Sequence, residues 1–156
     1  MDNKEREVKQ VIVFRNDLVK GKDAINKGKI AGQVAHASLG ALLQMMTKTP
    51  TYNTSHEHDE AVLESIEYKV SFTPGSVLDK WLHGIFTKVC LKIEDDDALQ
   101  NLYHLIKEER PDIPCVLITD CGKTAFNGVP TNTCIGIGPY WSDEIDVFTR
   151  ELKLLR

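Results

Sequence analysis

The sequence lacks the features that would place the chain in a membrane, in a secretory pathway or around a metal ion. No apolar run has the length of a membrane span, and the longest, near residues 37–46, has the length of a core helix. The charged amino-terminal segment precedes no long apolar stretch, so we expect no signal peptide. The four cysteines form no C-x-x-C pair and no cluster with histidine, a usage typical of reduced thiols in a cytoplasmic protein without zinc.

The chain carries little net charge, but that charge is unevenly distributed. A net charge of −4 over 156 residues does not by itself indicate a nucleic-acid partner. However, residues 1–29 hold eight Lys and Arg against five acids, whereas residues 49–67 hold five acids and no base. This asymmetry gives the amino-terminal part a local basic face that suits phosphates. The length predicts a single domain over residues 1–156 that buries its own core.

The apolar pattern along the chain predicts alternating strands and helices. Buried strands are predicted at residues 10–15, 86–93, 114–119 and 133–138. Helices are predicted over residues 29–47, 76–84 and 94–110, and over a last segment capped by Ser142. Residues 47–59 are predicted as a loop, and residues 60–72 fit either a short helix or a strand.

This order of elements predicts an α/β fold. Two right-handed crossovers would make the first three strands parallel neighbours, and the fourth strand, joined without a helix, would run antiparallel. The predicted architecture is a three-layer sandwich with a small four-stranded mixed sheet flanked by helices.

Polar side chains gather at the predicted carboxyl ends of the parallel strands, where helix amino termini also point. Arg15, Asn16 and Asp17 follow the first strand, and Asp120 follows the third. The first long helix starts near Lys29, and its free N–H groups together with the lysine ammonium form an anion site. A phosphate or a developing oxyanion fits that site.

The first long helix carries polar groups on one face and small residues on another. Lys29, Gln33 and His36 are spaced i, i+4, i+7 and share a face. A second face, expected to lie against the sheet, carries Ala31, Ala35 and Ser38. Gly32 costs about 1 kcal/mol in a helix interior, which indicates close approach to the sheet or to a ligand. Simpler interpretations stay open for His36 as a hydrogen-bonded core histidine and for Asp120 as a turn residue.

Several segments in a fixed order carry a more specific signal. They read VIVFRNDL, KGKIAGQVAHASLGA, FTKVCLKI, LITDCGKT, GVPTNTCIGIGP and EIDVFTRELKLL. Over residues 10–47 and 80–156 the chain resembles the second class of peptidyl-tRNA hydrolases, found in archaea and eukaryotes with bacterial and viral offshoots. The resemblance implies an enzyme that cleaves the ester joining a peptide, or a blocked amino acid, to the 3′ end of tRNA. It also implies a homodimer with no metal and no cofactor.

The resemblance further implies which residues form the site. The functional lysine, glutamine and histidine of the family's first helix match Lys29, Gln33 and His36. The aspartate and threonine of its D-x-G-x-T motif match Asp120 and Thr124. The motif that ends the family's first strand matches Arg15, Asn16 and Asp17.

The chain also departs from the family pattern. The loop VKGKDAINKGK is longer than usual, and residues 48–76 form an insertion relative to the short archaeal form. Lys123 stands where the family usually has arginine, so bidentate phosphate binding is lost there. Cys121 stands where a small residue is common, and FNGVPT places the chain nearer the bacterial and phage branch. These departures concern substrate range more than reaction type.

The absence of a G-x-S-x-G motif favours direct attack by water over an acyl-enzyme. In this hypothesis Asp120 orients or deprotonates the water, and Lys29 stabilises the oxyanion or binds the terminal phosphate. Thr124 positions the water or the ribose, and His36 supports the site or carries a proton. The phosphates of the acceptor stem are expected to contact Lys20, Lys22, Lys27 and Lys123.

Two other interpretations of the sequence stay open. The same scaffold can serve as a non-catalytic module that binds the tRNA end or another protein, because a fold does not determine a function. Cys121 and His36 can also be read as the pair of a cysteine hydrolase, although nothing in the sequence lowers the pKa of that thiol.

Overall fold

The computed structural model describes residues 5–54 and 61–156 of the chain. The described strands are β1 (Val8–Arg15), β2 (Thr47–Thr54), β3 (Ala61–Lys69), β4 (Lys88–Ile93), β5 (Cys115–Asp120), β6 (Thr131–Trp141) and β7 (Lys153–Leu154). The described helices are α1 (Lys27–Leu43), α2 (Val77–Leu82), α3 (Asp96–Glu109) and α4 (Ser142–Thr149). None of these helices is long and apolar enough to cross a membrane. Residues 55–60, part of the predicted 47–59 loop and of the 48–76 insertion, lie outside the described residues.

Within the part of the chain that the structure describes, five strands form one mixed sheet in the order β5-β6-β1-β4-β7. β1 runs parallel to β4, and β6 runs antiparallel to both β1 and β5. The predictions of a mixed α/β sheet and of an antiparallel fourth strand are therefore confirmed. The prediction of a four-stranded sheet is wrong, because β7 pairs with β4 and has only two residues, too few for a periodic signal.

The predicted neighbours in the sheet are wrong in one respect. The fourth predicted strand, β6, lies between β1 and β5, so the first and third predicted strands do not touch. The chain passes from β5 to β6 through a loop with one short 3-10 turn (Phe126–Gly128) and no α-helix, a connection that allows antiparallel pairing. Because β1 and β5 both run antiparallel to β6, they point the same way and end at the same edge of the sheet.

The hydrophobic core lies on both faces of the sheet, and β1 contributes to each. Val11 and Val13 pack with apolar residues of α3 and α4. Ile12 and Phe14, which alternate with them, pack against α1. The sheet is thus the middle layer between α1 on one side and α3 with α4 on the other.

Helix α1 packs on the sheet through a different face from the predicted one. Ala37 and Ala41 are fully buried, whereas Ala31 and Ala35 are exposed. A Cβ atom on Gly136 of β6 would lie 2.3 Å from the carbonyl oxygen of Ala37, so only glycine allows this close approach. Gly32 is predicted to lie close to the sheet or to a ligand. It faces open space, so the prediction that it approaches the sheet is wrong.

Some predicted element ends are also wrong. Helix α1 begins at Lys27, because the Asn26 side chain accepts a hydrogen bond from the Lys29 amide at 2.8 Å. It ends at Leu43, four residues before the predicted end. Ser142 is the first residue of α4 and not its cap, because the non-helical Trp141 occupies the cap position, where no side chain caps the helix. Strand β6 continues past its predicted end at residue 138.

Strands β2 and β3 pair with each other in a separate hairpin. The sequence predicts a loop for residues 47–59 and leaves residues 60–72 open between a helix and a strand. Every residue of β3 is exposed, so no buried face produces the alternation by which strands are recognised in sequence. The register pairs Tyr52 with Leu63 and Lys48 with Tyr68. Cross-strand pairing, and not burial against the core, therefore defines this hairpin.

The contact of α1 with β6 predicts opposite effects for two glycine substitutions. Gly136→Ala forces a methyl group onto the Ala37 backbone and should destabilise the fold by about 1–3 kcal/mol, as overpacking does. Gly32→Ala adds a methyl group in open space on a helix and should stabilise the fold by up to about 1 kcal/mol. Urea unfolding of both variants measures the difference. Equal free energies of unfolding would contradict the close approach of α1 to β6.

Candidate active site

The candidate site lies at the edge of the sheet where β1 and β5 end. Asp120 is the last residue of β5, and Arg15 is the last residue of β1. The first turn of α1 lies at the same edge, because the Lys29 side chain reaches Asp120. Three segments that are distant in sequence thus meet at this edge, as the strand directions predict.

An ion pair between Lys29 and Asp120 forms the centre of the site. The Lys29 Nζ lies 2.5 Å from the Asp120 Oδ2 and donates a second hydrogen bond to the Thr124 Oγ1 at 3.0 Å. Asp120 is only 8% exposed, and the Lys29 side chain is 18% exposed. The two charges are therefore held largely out of water, where their interaction is stronger than on an open surface.

Gln33 fixes the carboxylate from the next turn of α1. Its Nε2 donates to the Asp120 Oδ2 at 2.8 Å, and its Oε1 accepts a hydrogen bond from the Thr133 Oγ1 at 2.7 Å. Both Gln33 and Thr133 are buried, so this amide is satisfied on both sides. Sequence reasoning missed Thr133, because threonine at the start of a strand is common and carries no motif of its own.

The surroundings of Asp120 favour its charged form. The hydrogen bond from Lys29 holds the pKa of the Asp120 carboxyl below its usual range, although burial acts in the opposite direction. The backbone N–H of Gly122 donates to the Asp120 Oδ1 at 2.8 Å, and the bonds from Gly122 and Gln33 also lower the pKa. The carboxylate is therefore ionised at neutral pH and oriented by donors on both oxygens.

Of the predicted residues at the end of β1, Arg15 and Asp17 form hydrogen bonds with each other. Arg15 forms two hydrogen bonds to the Asp17 carboxylate, at 2.7 and 3.1 Å, and one to the carbonyl oxygen of Asn132 at 2.9 Å. The contact with Asp17 raises the pKa of Arg15. The Oδ1 atom of Asn16 is buried and has no hydrogen-bond partner among the described residues. Arg15 and Asp17 thus stabilise the edge, whereas Asn16 keeps an unused acceptor.

The other predicted residues, all within the described ranges, form no hydrogen bond or ion pair with Lys29, Asp120 or Thr124. The basic side chains near the site are exposed, and these are Lys20, Lys22, Lys27 and Lys123. His36 is also exposed, and it forms no hydrogen bond with Lys29, Gln33 or Asp120. The structure therefore brings Lys29, Gln33, Asp120 and Thr124 together and leaves His36 outside their cluster.

A cavity of about 460 Å³ opens beside the ion pair. Its lining includes Lys29 and Thr124 together with Ile25 and Phe126. Phe126 and Asn127 have positive φ angles of 65° and 52°, a conformation that costs a non-glycine residue about 1–2 kcal/mol. Sequence reasoning missed both residues, because the FNG segment indicates a turn without indicating that a phenylalanine lines a cavity.

The structure offers little support for metal or thiol chemistry in the described residues. Over 5–54 and 61–156, no three His, Cys, Asp or Glu side chains cluster as metal ligands do. Cys121 is exposed beside Asp120, and no hydrogen bond joins it to the exposed His36. The polar groups that contact one another at this edge are an ammonium, a carboxylate and a hydroxyl group.

Comparisons with known proteins agree with this arrangement. A family model described as "Peptidyl-tRNA hydrolase PTH2" matches residues 8–155. A protein of Methanopyrus kandleri named peptidyl-tRNA hydrolase is 36% identical over 148 residues, covering 95% of this chain and 98% of the relative. A protein of the same name from Sulfolobus acidocaldarius is 32% identical, covering 95% of this chain and all of the relative. The chain belongs to the PTH2 family of peptidyl-tRNA hydrolases.

Proposed function

We propose that the protein hydrolyses the ester bond between a peptide, or an N-blocked amino acid, and the 3′ end of tRNA. The observation that carries this proposal is the pairing of Lys29 with Asp120 and Thr124 at the mouth of a cavity. Ester hydrolysis needs an oriented water, a group that stabilises the oxyanion and a proton for the leaving alkoxide. The cluster supplies one group for each need.

Asp120 orients the attacking water. A carboxylate has about four acceptor sites, and the structure fills three with hydrogen bonds from Lys29, Gln33 and Gly122. The remaining site accepts a hydrogen bond from the water and directs its lone pair towards the ester carbonyl carbon. Gln33 acts as a positioning residue, because it contacts the carboxylate and not the ester.

Lys29 and Thr124 act on the substrate side of the ion pair. As the water oxygen bonds to the carbonyl carbon, the water gives a proton to Asp120, and the Lys29 ammonium stabilises the oxyanion. Collapse of the intermediate breaks the bond to the ribose oxygen, which takes a proton from Lys29 through the Thr124 hydroxyl. After the products leave, Asp120 gives its proton to water and Lys29 regains a proton from water, which restores both groups.

The coupling of the two charges supports this sequence of steps. While Lys29 is charged, it keeps the pKa of Asp120 low. When Lys29 gives up its proton, that effect ends, and burial raises the pKa of Asp120 so that the carboxyl retains the proton it received. His36 lies outside the cluster and is assigned a supporting role or the transfer of protons to solvent.

The exposed residues around the cluster bind the tRNA. Phosphates of the acceptor stem contact Lys20, Lys22, Lys27 and Lys123, without reading the base sequence. Arg15 and Asp17 fix the edge beside the tRNA end, whereas the Oδ1 of Asn16 is buried and does not face the tRNA. Following the family resemblance, residues 1–156 are assigned to one hydrolase domain that includes the 48–76 insertion. The same resemblance and the reduced cysteines assign it to a homodimer in the cytoplasm, acting without metal or cofactor.

Substituting Asp120 separates catalysis from tRNA binding. Asp120→Asn keeps the side-chain shape but loses the charge, so kcat for N-acetyl-aminoacyl-tRNA should fall about 10²- to 10⁴-fold. Binding of uncharged tRNA should stay near the wild-type value, because the lysine contacts are intact. The assay contains a chelator and includes unblocked aminoacyl-tRNA for comparison.

The exposed Glu108 near the carboxyl end of α3 provides the control, because Glu108→Gln removes the same charge at the end of the helix that lies away from the site. Wild-type turnover in Asp120→Asn would show that another group orients the water. A wild-type protein that binds tRNA but releases no peptide would favour the non-catalytic module.

The low pKa of Asp120 predicts how its ion pair depends on pH. The pair contributes stability that is present above the ordinary aspartate pKa of about 3.9 and is lost as the pH falls through the lower folded-state value. In Lys29→Met, carbon-13 NMR should show a higher pKa for Asp120. The variant should also have a lower free energy of unfolding than wild type at neutral pH, and this difference should become smaller at low pH. Lys107→Met, on the exposed face of α3, should change neither quantity. An unchanged Asp120 pKa in Lys29→Met would contradict the pairing.

The basic loop before α1 predicts a salt-dependent contribution to tRNA binding. The double substitution Lys20→Ala, Lys22→Ala should reduce the slope of log K against log salt by about 1 for each phosphate that the loop no longer binds. The control Lys88→Ala, Lys107→Ala removes the same charge from the start of β4 and from α3. Equal slopes in both double variants would indicate that the whole surface, and not this loop, attracts the tRNA.

A further inference from the structure

We propose that the cavity beside Lys29 binds the terminal adenosine of the tRNA, with Phe126 as the surface on which the base stacks. The inference rests on the proposed function, because the terminal adenosine is the nucleoside that carries the ester. A volume of about 460 Å³ is in the range of small-ligand sites, which is about 300–1,000 Å³.

The position of the cavity fits a nucleoside whose ribose carries the ester. Lys29 and Thr124 belong both to the ion-pair cluster and to the cavity lining. A nucleoside in the cavity therefore places its ribose hydroxyls next to the groups that act on the ester. The rest of the lining, including Phe126 and Asn127, is then left for the base.

The lining suits a neutral base better than a phosphate. The acidic Asp23 lies in the wall, and the ammonium of Lys29 is already paired with Asp120. A phosphate bound next to Asp23 would be repelled by its carboxylate, and the described residues of the cavity lining include no unpaired cation to compensate. Ile25 and Phe126 provide apolar surface, and the carboxylate and amide oxygens of Asp23 and Asn127 match the exocyclic amino group of adenine.

The loop holds Phe126 in place at a conformational cost. Phe126 has a φ of 65°, which glycine would adopt without strain. The turn is closed by hydrogen bonds from the Val129 amide to the Phe126 carbonyl and from the Gly128 amide to the Gly122 carbonyl, at 2.9 and 3.1 Å. A Cβ atom on Gly122 would collide with the Val129 backbone, which shows how tightly the loop is packed. The aromatic residue is thus fixed in the cavity wall before any ligand arrives.

Phe86 provides an internal comparison. It also has a positive φ, of 58°, but its ring packs on Trp81 with centroids 4.3 Å apart. It lies just before β4, at the opposite edge of the sheet from the site. Within the described ranges, Phe126 has no aromatic partner. Phe126 is half-buried and lines the cavity, whereas the ring of Phe86 already packs on another ring of the protein.

The test compares adenosine 5′-monophosphate with ribose 5-phosphate, which lacks the base, in direct binding to the full chain followed by NMR. Wild-type protein should bind the nucleotide more tightly than the sugar phosphate. Phe126→Gly and Phe126→Leu should weaken nucleotide binding by roughly 5- to 150-fold, the range for loss of one stacked base. Phe126→Tyr should restore it, and Phe86→Gly should leave it unchanged.

The outcomes separate the adenosine site from the proposed function. The site is overturned if nucleotide affinity is the same in wild type and both Phe126 variants, or if the base adds nothing to the affinity of the sugar phosphate. Hydrolysis of N-acetyl-aminoacyl-tRNA then still tests the function by itself. A protein that binds the nucleotide at Phe126 but hydrolyses no ester retains the site and refutes the function.

Discussion

The ion pair between Lys29 and Asp120 is the interaction on which the rest of the site depends. Asp120 is nearly buried, and an uncompensated charge at such a position is strongly unfavourable. Lys29, Gln33 and the Gly122 amide together compensate that charge and occupy most of its acceptor sites. The same contacts leave one direction at the carboxylate open for water, so stability and reactivity arise from one arrangement.

The close packing of α1 on β6 allows this pair to form. The absence of a side chain at Gly136 lets the Ala37 backbone touch the sheet, and this contact determines the distance between α1 and the sheet. The amino-terminal turns of α1 then present Lys29 and Gln33 at the level where β5 ends. A helix held further from the sheet would separate the ammonium from the carboxylate, and the interaction between them would weaken with distance.

Much of the fold and the central part of the site follow from local patterns. The β-branched run of β1, the capped and periodic α3 and the direction of the strands are visible in the sequence, and strand direction places Asp120 at the edge of the sheet where the first long helix begins. Other features depend on contacts between distant segments. The insertion of β6 between β1 and β5, the pairing of β7 and the exposed β2–β3 hairpin leave no periodic apolar signal, and Thr133 gains its role only from Gln33.

The sequence by itself determined the residue types of the site, the order of the elements and the family to which they belong, because these depend on local chemistry and spacing. Only the tertiary structure decided which helix face meets the sheet, that Gln33 is buried while His36 is exposed, and that Phe126 lines the cavity beside Lys29. Those outcomes depend on side-chain volumes and backbone approach across β6, and they arise only when segments about a hundred residues apart pack together.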